Sequence, residues 1–294
     1  MGGRGRTASP LSRAVSGGFV AAVIATAGLL LSGDLLPARA ATPALISDNP
    51  VTVPDELDLG IGTQDWYYRE TAGDGDNAGL LEGHLRTISY WGPVILGADL
   101  SYMGSYTGRY TGSDLITGTP LSINMAETVF QSAVHLGVLV LNTPTDSLGL
   151  WASWGYHQQI WMTPAQAGGY EENYQIPYLG GSFYNQNPVP GTEWTFYEEG
   201  GYRSGLSPSM TATPSGSEPI PAGTFNLGSA WNLHGLAGVR YLFTPHVGLY
   251  LTGNYSYWAF AQSTNTLTAG NRQFLEPSSI TSYFGVESGV TLEY

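Results

Sequence analysis

The sequence predicts an all-β fold, an antiparallel up-and-down transmembrane β-barrel of ten strands, with eight strands as the alternative. Three observations lead to it. Apolar and polar residues alternate with a period of two in many stretches after residue 57, as they do in strands with unlike faces. Only 11% of the residues are charged, whereas soluble domains carry about 25%. Tyr, Trp and Gly are abundant, which is typical of barrels with aromatic girdles at both membrane interfaces.

Composition also limits the classes of function. The 294 residues include no Cys, so no disulfide can form. All ten basic residues are Arg and the formal net charge is −13, which gives no electrostatic footprint for nucleic acid. A mean hydropathy of −0.06 argues against a bundle of transmembrane helices. A barrel is compatible with that average, because only every second residue of its strands needs to be apolar.

The N-terminus predicts a secretory signal peptide over residues 1–40. Arg4, Arg6 and Arg13 form a basic region, an apolar run follows at 19–31, and Ala38-Arg39-Ala40 matches a cleavage site. An uncleaved inner-membrane anchor is the alternative, but the run is shorter than the roughly 20 residues of a membrane span. Residues 41–56 are rich in proline and are expected to form a periplasmic lead-in, which leaves residues 57–294 for the barrel.

The alternating runs predict the strands. They lie at 57–68, 80–90, 94–110, 125–141, 148–162, 225–243, 247–261 and 280–294. The run at 125–141 could also be a helix, because Glu127, Gln131 and His135 are spaced by four, but its β-branched end favours a strand. Region 163–223 is either a loop of about 60 residues, which would be unusual, or a further hairpin. We choose the hairpin, although Pro177 within it would remove a ladder donor.

The connections support a barrel. Short ones at 91–93, 142–147, 185–191 and 244–246 alternate with longer ones at 69–79, 111–124, 163–170, 205–224 and 262–277. Short periplasmic turns and longer extracellular loops are the outer-membrane pattern. A soluble sandwich or lipocalin-like barrel is the alternative, but no second sheet is available to cover the long apolar faces.

The last strand carries a family resemblance. Residues 280–294 alternate strictly and end on an aromatic residue, Tyr294. This resembles the outer-membrane β-barrel proteins of Gram-negative bacteria, whose last strand ends in an aromatic residue that the barrel assembly machinery reads. The resemblance covers residues 57–294 and implies an outer-membrane location, with outer-membrane lipid, lipopolysaccharide and the assembly machinery as partners. The assembly signal would comprise Phe284, Val286, Val290, Leu292 and Tyr294.

The inward faces predict a polar lumen network. Alternation directs the following residues inward: Glu82, His84, Arg86, Asp99, Arg109, Glu127, Gln131, His135, His157, Asn232, His234, Arg240 and Glu287. Small barrels fill their interior with side chains. Around the tight turn Trp91-Gly92-Pro93, residues whose numbers sum to about 185 should pair, which places Arg86 opposite Asp99. The same reasoning across the next loop places Arg109 near Glu127.

Motifs for catalysis or metal binding are missing. The chain has no G-x-S-x-G or H-E-x-x-H motif. Omptin proteases are ten-stranded outer-membrane barrels of similar length, but their catalytic machinery includes an Asp-x-His step that this chain lacks. The GDGDN segment at 73–77 departs from a calcium loop, because Ala78 and Leu85 stand at ligand positions, and is expected to be a solvated loop tip. No catalytic, cofactor or metal residues are therefore predicted.

Three function classes remain open. The first is a non-enzymatic structural or narrow-pore protein, the second an adhesin or receptor that acts through its loops, and the third a membrane-embedded hydrolase, which the missing motifs disfavour. Most aromatic residues are expected in the girdles: Tyr90, Trp91, Tyr102, Tyr106, Tyr110, Trp154, Tyr241, Phe243, Tyr255 and Tyr257. A sugar-binding platform of Tyr170, Tyr174, Trp194 and Tyr202 is a minority interpretation.

Overall fold

The computed structural model describes residues 53–71, 73–113, 119–163, 169–214 and 221–294. The predicted signal peptide and most of the predicted lead-in lie outside the described residues. The strands are β1 (Glu56–Glu70), β2 (Gly75–Trp91), β3 (Val94–Ser113), β4 (Pro120–Asn124), β5 (Ala126–Thr143), β6 (Asp146–Met162), β7 (Tyr170–Pro188), β8 (Trp194–Gly205), β9 (Ser209–Pro214), β10 (Gly223–Asn226), β11 (Ala230–Thr244), β12 (Val247–Phe260), β13 (Leu267–Ala269), β14 (Arg272–Phe274) and β15 (Ser279–Glu293).

Ten of these strands close into an antiparallel barrel. The order around the ring is β1-β2-β3-β5-β6-β7-β8-β11-β12-β15, and β15 returns to pair with β1 from Glu56↔Glu293 to Glu70↔Ser279. Closure gives every ring strand two neighbours, so no open edge remains. The ten-strand prediction is confirmed, and so is the hairpin in region 163–223, which is β7 and β8. The run at 125–141 is a strand, not a helix.

The two ends of the barrel differ. At the turn end, the hairpins close at residues 92–93, 144–145, 189–193 and 245–246, and Gly92 and Gly191 supply the positive φ angles of 57° and 74°. At the loop end, the other five described strands lie outside the ring. β4 pairs with the upper part of β3, β9 pairs with the upper part of β7, β10 pairs with β9, and β13 and β14 form a separate hairpin. The predicted strand at 225–243 is wrong at its start, because it is divided into β10 and β11.

Pro177 occupies a tolerant position in β7. Below it, from Tyr178 to Pro188, β7 pairs with β8; above it, from Tyr170 to Gln175, β7 pairs with β9. Pro177 therefore lies where one partner has ended and the next has not begun. The carbonyl of Pro177 accepts a hydrogen bond from the Leu206 amide at 2.6 Å. The ladder thus loses little from the missing donor at this residue.

A β-bulge in β3 reverses the faces of its upper half. Gly79 pairs with Thr107 and Leu80 pairs with Ser105, so Tyr106 has no partner of its own. One extra residue inverts the alternation of all later side chains. Tyr110 therefore points inward and is buried, and Arg109 is exposed on the outside. The predictions of an inward Arg109 beside Glu127 and of Tyr110 in a girdle are wrong for this reason. Tyr90 also packs inside.

The barrel has an apolar outside and a layered inside. A belt of exposed apolar residues surrounds it: Leu59, Ile61, Leu81, Val134, Leu136, Leu150, Leu249, Leu251 and Val286. Exposed aromatic residues edge this belt, among them Trp91, Trp194 and Tyr241 at the turn end. Inside the loop half, large buried side chains such as Trp66, Trp161, Tyr174 and Trp258 form an aromatic core. The described residues contain no helix that is long and apolar enough to cross a membrane.

Candidate functional site in the barrel lumen

Arg86 braces the middle of the lumen. Its Nη2 lies 2.7 Å from Oε2 of Glu199, and its Nε lies 3.6 Å from Oδ1 of Asp99. Its guanidinium also packs over the rings of Trp151 and Tyr184 at 5.3 and 4.9 Å. Arg86 and Asp99 face each other across the β2–β3 hairpin, as predicted. Glu199 lies in β8, five strands from β2 in the ring of ten, so this ion pair crosses the barrel.

Two histidines lie beside Asp99 in the middle of the lumen. His135 Nε2 lies 2.5 Å from Oδ2 of Asp99, and His84 Nε2 lies 3.8 Å from Oδ1. His84 Nδ1 is in turn 2.9 Å from Glu287, which also accepts a hydrogen bond from the Tyr250 hydroxyl. One connected network therefore joins β2, β3, β5, β12 and β15. Within this network, each carboxylate lies beside an Arg or His side chain.

Arg240 organises a second charged level nearer the turn end. Its guanidinium lies 2.7 Å from Glu56, 3.1 Å from Glu293 and 3.7 Å from Asp58. Glu56 also accepts a hydrogen bond of 2.5 Å from Gln186 on the opposite wall. Arg240 and Glu56 are almost completely buried. Strands β1, β7, β11 and β15 are thereby tied together close to the chain ends of the barrel.

Other predicted lumen residues also lie inside the barrel, but they form fewer polar contacts. Glu82 accepts a hydrogen bond of 2.5 Å from Gln64, and Gln131 lines the central cavity. His157 is fully buried and stacks on Trp258, with ring centroids 4.7 Å apart. The side chain of Glu127 is buried, and neither of its carboxylate oxygens has a hydrogen-bond partner.

The space left between these levels is small. A cavity of about 140 Å³ remains beside Glu82, His84, Arg86, Asp99 and Glu287. A polar cavity of that volume can hold ordered water molecules. The aromatic core covers the cavity from the loop half, and the Arg240 level covers it from the turn end. Side chains therefore fill the lumen at three levels.

One set of contacts has the connectivity of a hydrolase triad. Ser153 Oγ lies 2.8 Å from His135 Nδ1, and the Nε2 of the same ring lies 2.5 Å from Asp99. A catalytic site also needs room for a reacting atom beside the nucleophile. Here Trp151 stacks on the imidazole of His135 at 4.8 Å, and the residues that line the cavity do not include Ser153. Within the described residues, no group of His, Asp and Glu side chains is arranged to hold a metal ion.

Sequence reasoning missed several lumen residues. Glu199 lies on the inward face of β8, next to the outward Glu198, and alternation with Tyr197 could have identified it. Glu56 was assigned to the lead-in, whereas β1 begins with it. Continuing the alternation of β1 backward by one residue would have added Glu56 and Asp58 to the inward set.

Two further expectations change. Asp76 of the GDGDN segment is buried in β2 rather than solvated, because β1 and β2 are joined by only residues 71–74. The sugar-binding platform does not form: Tyr174 is fully buried, and Trp194 lies at the opposite end of the barrel from Tyr170. The predicted assembly-signal residues lie on the outer face of β15, where Phe284, Val286, Val290 and Tyr294 are exposed.

Comparison with known proteins identifies the fold. No protein-family model matches the sequence, and no curated protein matches it significantly. Among solved structures, the outer membrane protease OmpT from Escherichia coli aligns with a TM-score of 0.55 at 13% identity, covering 84% of this chain and 99% of that one. The translocator domain of the autotransporter NalP from Neisseria meningitidis aligns at 0.40 and 12% identity, covering 82% and 90%. The latter score is too low to carry an argument.

The chain therefore has the fold of an outer-membrane β-barrel. The closed ten-stranded ring, its apolar outer belt and its polar lumen are the features that define this class. The likeness to OmpT extends to the fold alone, because 13% identity does not transfer an activity.

Proposed function

We propose that this protein is a non-enzymatic structural component of the outer membrane of a Gram-negative bacterium, with a lumen closed by its own side chains. The cross-lumen pair of Arg86 and Glu199 is the observation that carries this proposal, since it joins opposite walls where a pore would need to be open. The Arg240 level and the aromatic core support the same conclusion on either side.

The outer surface of the barrel supports the proposed membrane location. Leu81, Val134, Leu136 and Leu251 each expose more than half of their surface, and they belong to a continuous belt. An apolar surface of that extent needs lipid or protein around it. Outer-membrane lipid and lipopolysaccharide are the partners we propose for this belt, and the barrel assembly machinery is the partner we propose for the strand that ends at Tyr294.

Conductance in planar lipid bilayers tests the closed lumen. We expect the unmodified protein to give no stable conductance. Because the Arg240 level and the aromatic core still fill the lumen, Arg86→Ala combined with Tyr184→Ala should also give no stable conductance. A large and stable conductance from the unmodified protein would contradict the proposal and would indicate an open pore.

A second candidate function is a binding surface at the loop end. The observation in its favour is that the strands outside the ring are joined to one another. Asn265 in the last connection accepts a hydrogen bond from the Asn226 amide at 2.6 Å and donates one to the Thr224 carbonyl at 3.0 Å. A surface held in this way could present fixed side chains to a ligand.

A further inference from the structure

Five carboxylates lie together at the loop end, above the aromatic core: Glu70, Asp74, Asp76, Glu172 and Glu276. We call them the mouth cluster. They come from β1, β2, β7 and two connections, and each acts electrostatically on at least one other member. None of the ion pairs in the described part of the chain includes any of the five.

Two tyrosine hydroxyls link three of these carboxylates. The Tyr174 hydroxyl lies 2.5 Å from Oε1 of Glu276 and 3.2 Å from Oε2 of Glu172. It also lies 2.9 Å from the Tyr68 hydroxyl, which is 3.2 Å from Glu70. Tyr68 and Tyr174 stand on opposite walls of the ring, so this chain of contacts spans the mouth.

If every carboxyl group is ionised, the two hydroxyl groups have fewer protons to donate than there are contacts between them and the carboxylates. Each tyrosine hydroxyl has one proton to donate. If Tyr68 donates to Glu70, Tyr174 can donate to Glu172 or to Glu276, but not to both. The remaining carboxylate would then face the lone pairs of a hydroxyl oxygen with no proton between them, which is unfavourable. A proton on one of these carboxyl groups would supply the missing donor.

Asp76 independently indicates missing positive charge. It is 5% exposed, no ion pair of the described residues includes it, and the Thr111 backbone is the hydrogen-bond donor that acts on it. The negative charges of Glu70 and Asp74 act on it, so it belongs electrostatically to the cluster. A buried carboxylate without a cationic partner is costly while it is ionised and much less so when protonated.

Glu276 ties a long connection to this cluster. Residues 261–278 carry β13 and β14, and Leu267 and Phe274 from them pack against the aromatic core. The backbone of Glu276 is fixed to Ser263 by two hydrogen bonds, of 2.9 and 3.0 Å. The contact between Glu276 and Tyr174 thus connects this segment with β7, and losing it would loosen the segment.

We infer that protons bound by the mouth cluster hold residues 261–278 across the mouth of the barrel, and that their loss at alkaline pH releases this segment. Among the described residues no set of metal ligands is formed here, so the proton is the occupant we assign. Burial, together with the charge of Glu70 and against the hydrogen bond from Tyr174, raises the pKa of Glu276 from the usual 4.5 to about 8.

The sign of the pH dependence follows. Because the folded protein binds this proton more tightly than the unfolded chain does, the stabilisation of the mouth is complete below pH 4.5 and is lost as the pH rises toward about 8. The groups that face Glu276 are Tyr174 and Glu172 of β7 and Tyr68 and Glu70 of β1.

A nitroxide label at Thr268→Cys tests the inference, since the chain has no native Cys and Thr268 is exposed. In the refolded barrel, we expect the label to become more mobile between neutral and alkaline pH. With Glu276→Gln, which cannot ionise, mobility should stay low at every pH. Glu171→Gln is the matched control, because Glu171 precedes Glu172 on the other face of β7, and it should behave as the unmodified protein does.

Two outcomes would overturn the inference. One is a label whose mobility does not change with pH in the unmodified protein, or changes equally in Glu276→Gln. The other is a metal effect: if millimolar Ca²⁺ restores low mobility at alkaline pH and a chelator releases the segment at neutral pH, a divalent cation occupies the cluster instead of protons. The folded state of each variant is checked by its shifted migration on a gel without boiling.

Discussion

Two buried arginines connect strands on different walls of this barrel. Arg86 and Arg240 are each almost fully buried, and each contacts carboxylates from strands that are not its neighbours. Burying an ion pair is not stabilising by itself, because desolvation offsets the attraction between the charges. Removing only one partner is costly, since the other charge stays behind in the lumen. Losing either arginine would therefore destabilise the barrel mainly by leaving a buried carboxylate unpaired.

The first prediction concerns Arg86. Arg86→Met should lower the free energy of unfolding by about 3–5 kcal/mol, because Glu199 loses its cation while it remains buried. Adding Glu199→Gln should recover much of the loss, since Asp99 keeps His84 and His135 as partners. Thermal unfolding in detergent micelles, followed by circular dichroism, measures both changes.

Arg69→Met is the control for that experiment. Arg69 is exposed on β1 and takes part in no ion pair of the described residues. It should change stability little. If the effects of Arg86→Met and Glu199→Gln simply add in the double variant, the two side chains do not interact and the brace is refuted.

At the scale of elements, β15 holds the barrel closed. It pairs with β1 on one side and with β12 on the other over nearly its whole length. Beyond its last residue, Tyr294 exchanges two backbone hydrogen bonds with Asp55, of 3.2 and 3.0 Å. The side chain of Tyr294 stays outside and is 55% exposed.

The second prediction tests whether Tyr294 acts as an assembly signal or is only one more exposed aromatic residue. Tyr294→Asp should strongly reduce the amount of folded protein in the outer membrane, if the last strand is read during assembly. Phe243→Asp is a matched control, because Phe243 is also 55% exposed and lies next to the turn end. Its effect should be smaller. Quantifying the folded band in membrane fractions gives the result, and equal losses from both changes would argue against an assembly signal.

On the scale of the whole molecule, the barrel is asymmetric along its axis. The start of β1, the end of β15 and the tightest hairpins lie at the turn end. The strands outside the ring and the mouth cluster lie at the loop end. The outer-membrane pattern places short turns in the periplasm and longer loops outside the cell. The loop end is therefore expected to face the surroundings, as a binding surface would require.

The third prediction tests this orientation. A thiol-reactive reagent that cannot cross the outer membrane should label Asn271→Cys on intact cells, because Asn271 lies between β13 and β14 at the loop end and is exposed. Glu193→Cys, in the exposed turn between β7 and β8, should be labelled only after the cells are lysed. The reverse pattern would place the loop end in the periplasm and would remove the basis for a surface-binding role.

Local alternation determined most of the barrel in advance. It distinguished the two faces of β2, β6 and β15, and the short turn at Gly92 determined the register that sets Arg86 opposite Asp99. These features depend on residues close together in the chain, where the period of two and the turn length leave one arrangement. The ten-strand ring followed in the same way once Tyr178 and Tyr184 of region 163–223 were assigned to a strand.

Only the tertiary structure decided the contents of the lumen and the loop end. The bulge at Tyr106, which reversed Arg109 and Tyr110, does not show in the alternation of β3 alone, because it exists only relative to β2. Likewise, Arg86 meets Glu199 and Tyr68 meets Tyr174 across more than a hundred residues of sequence. Ring closure brings opposite walls together, and no local pattern records which side chains then face each other across the barrel.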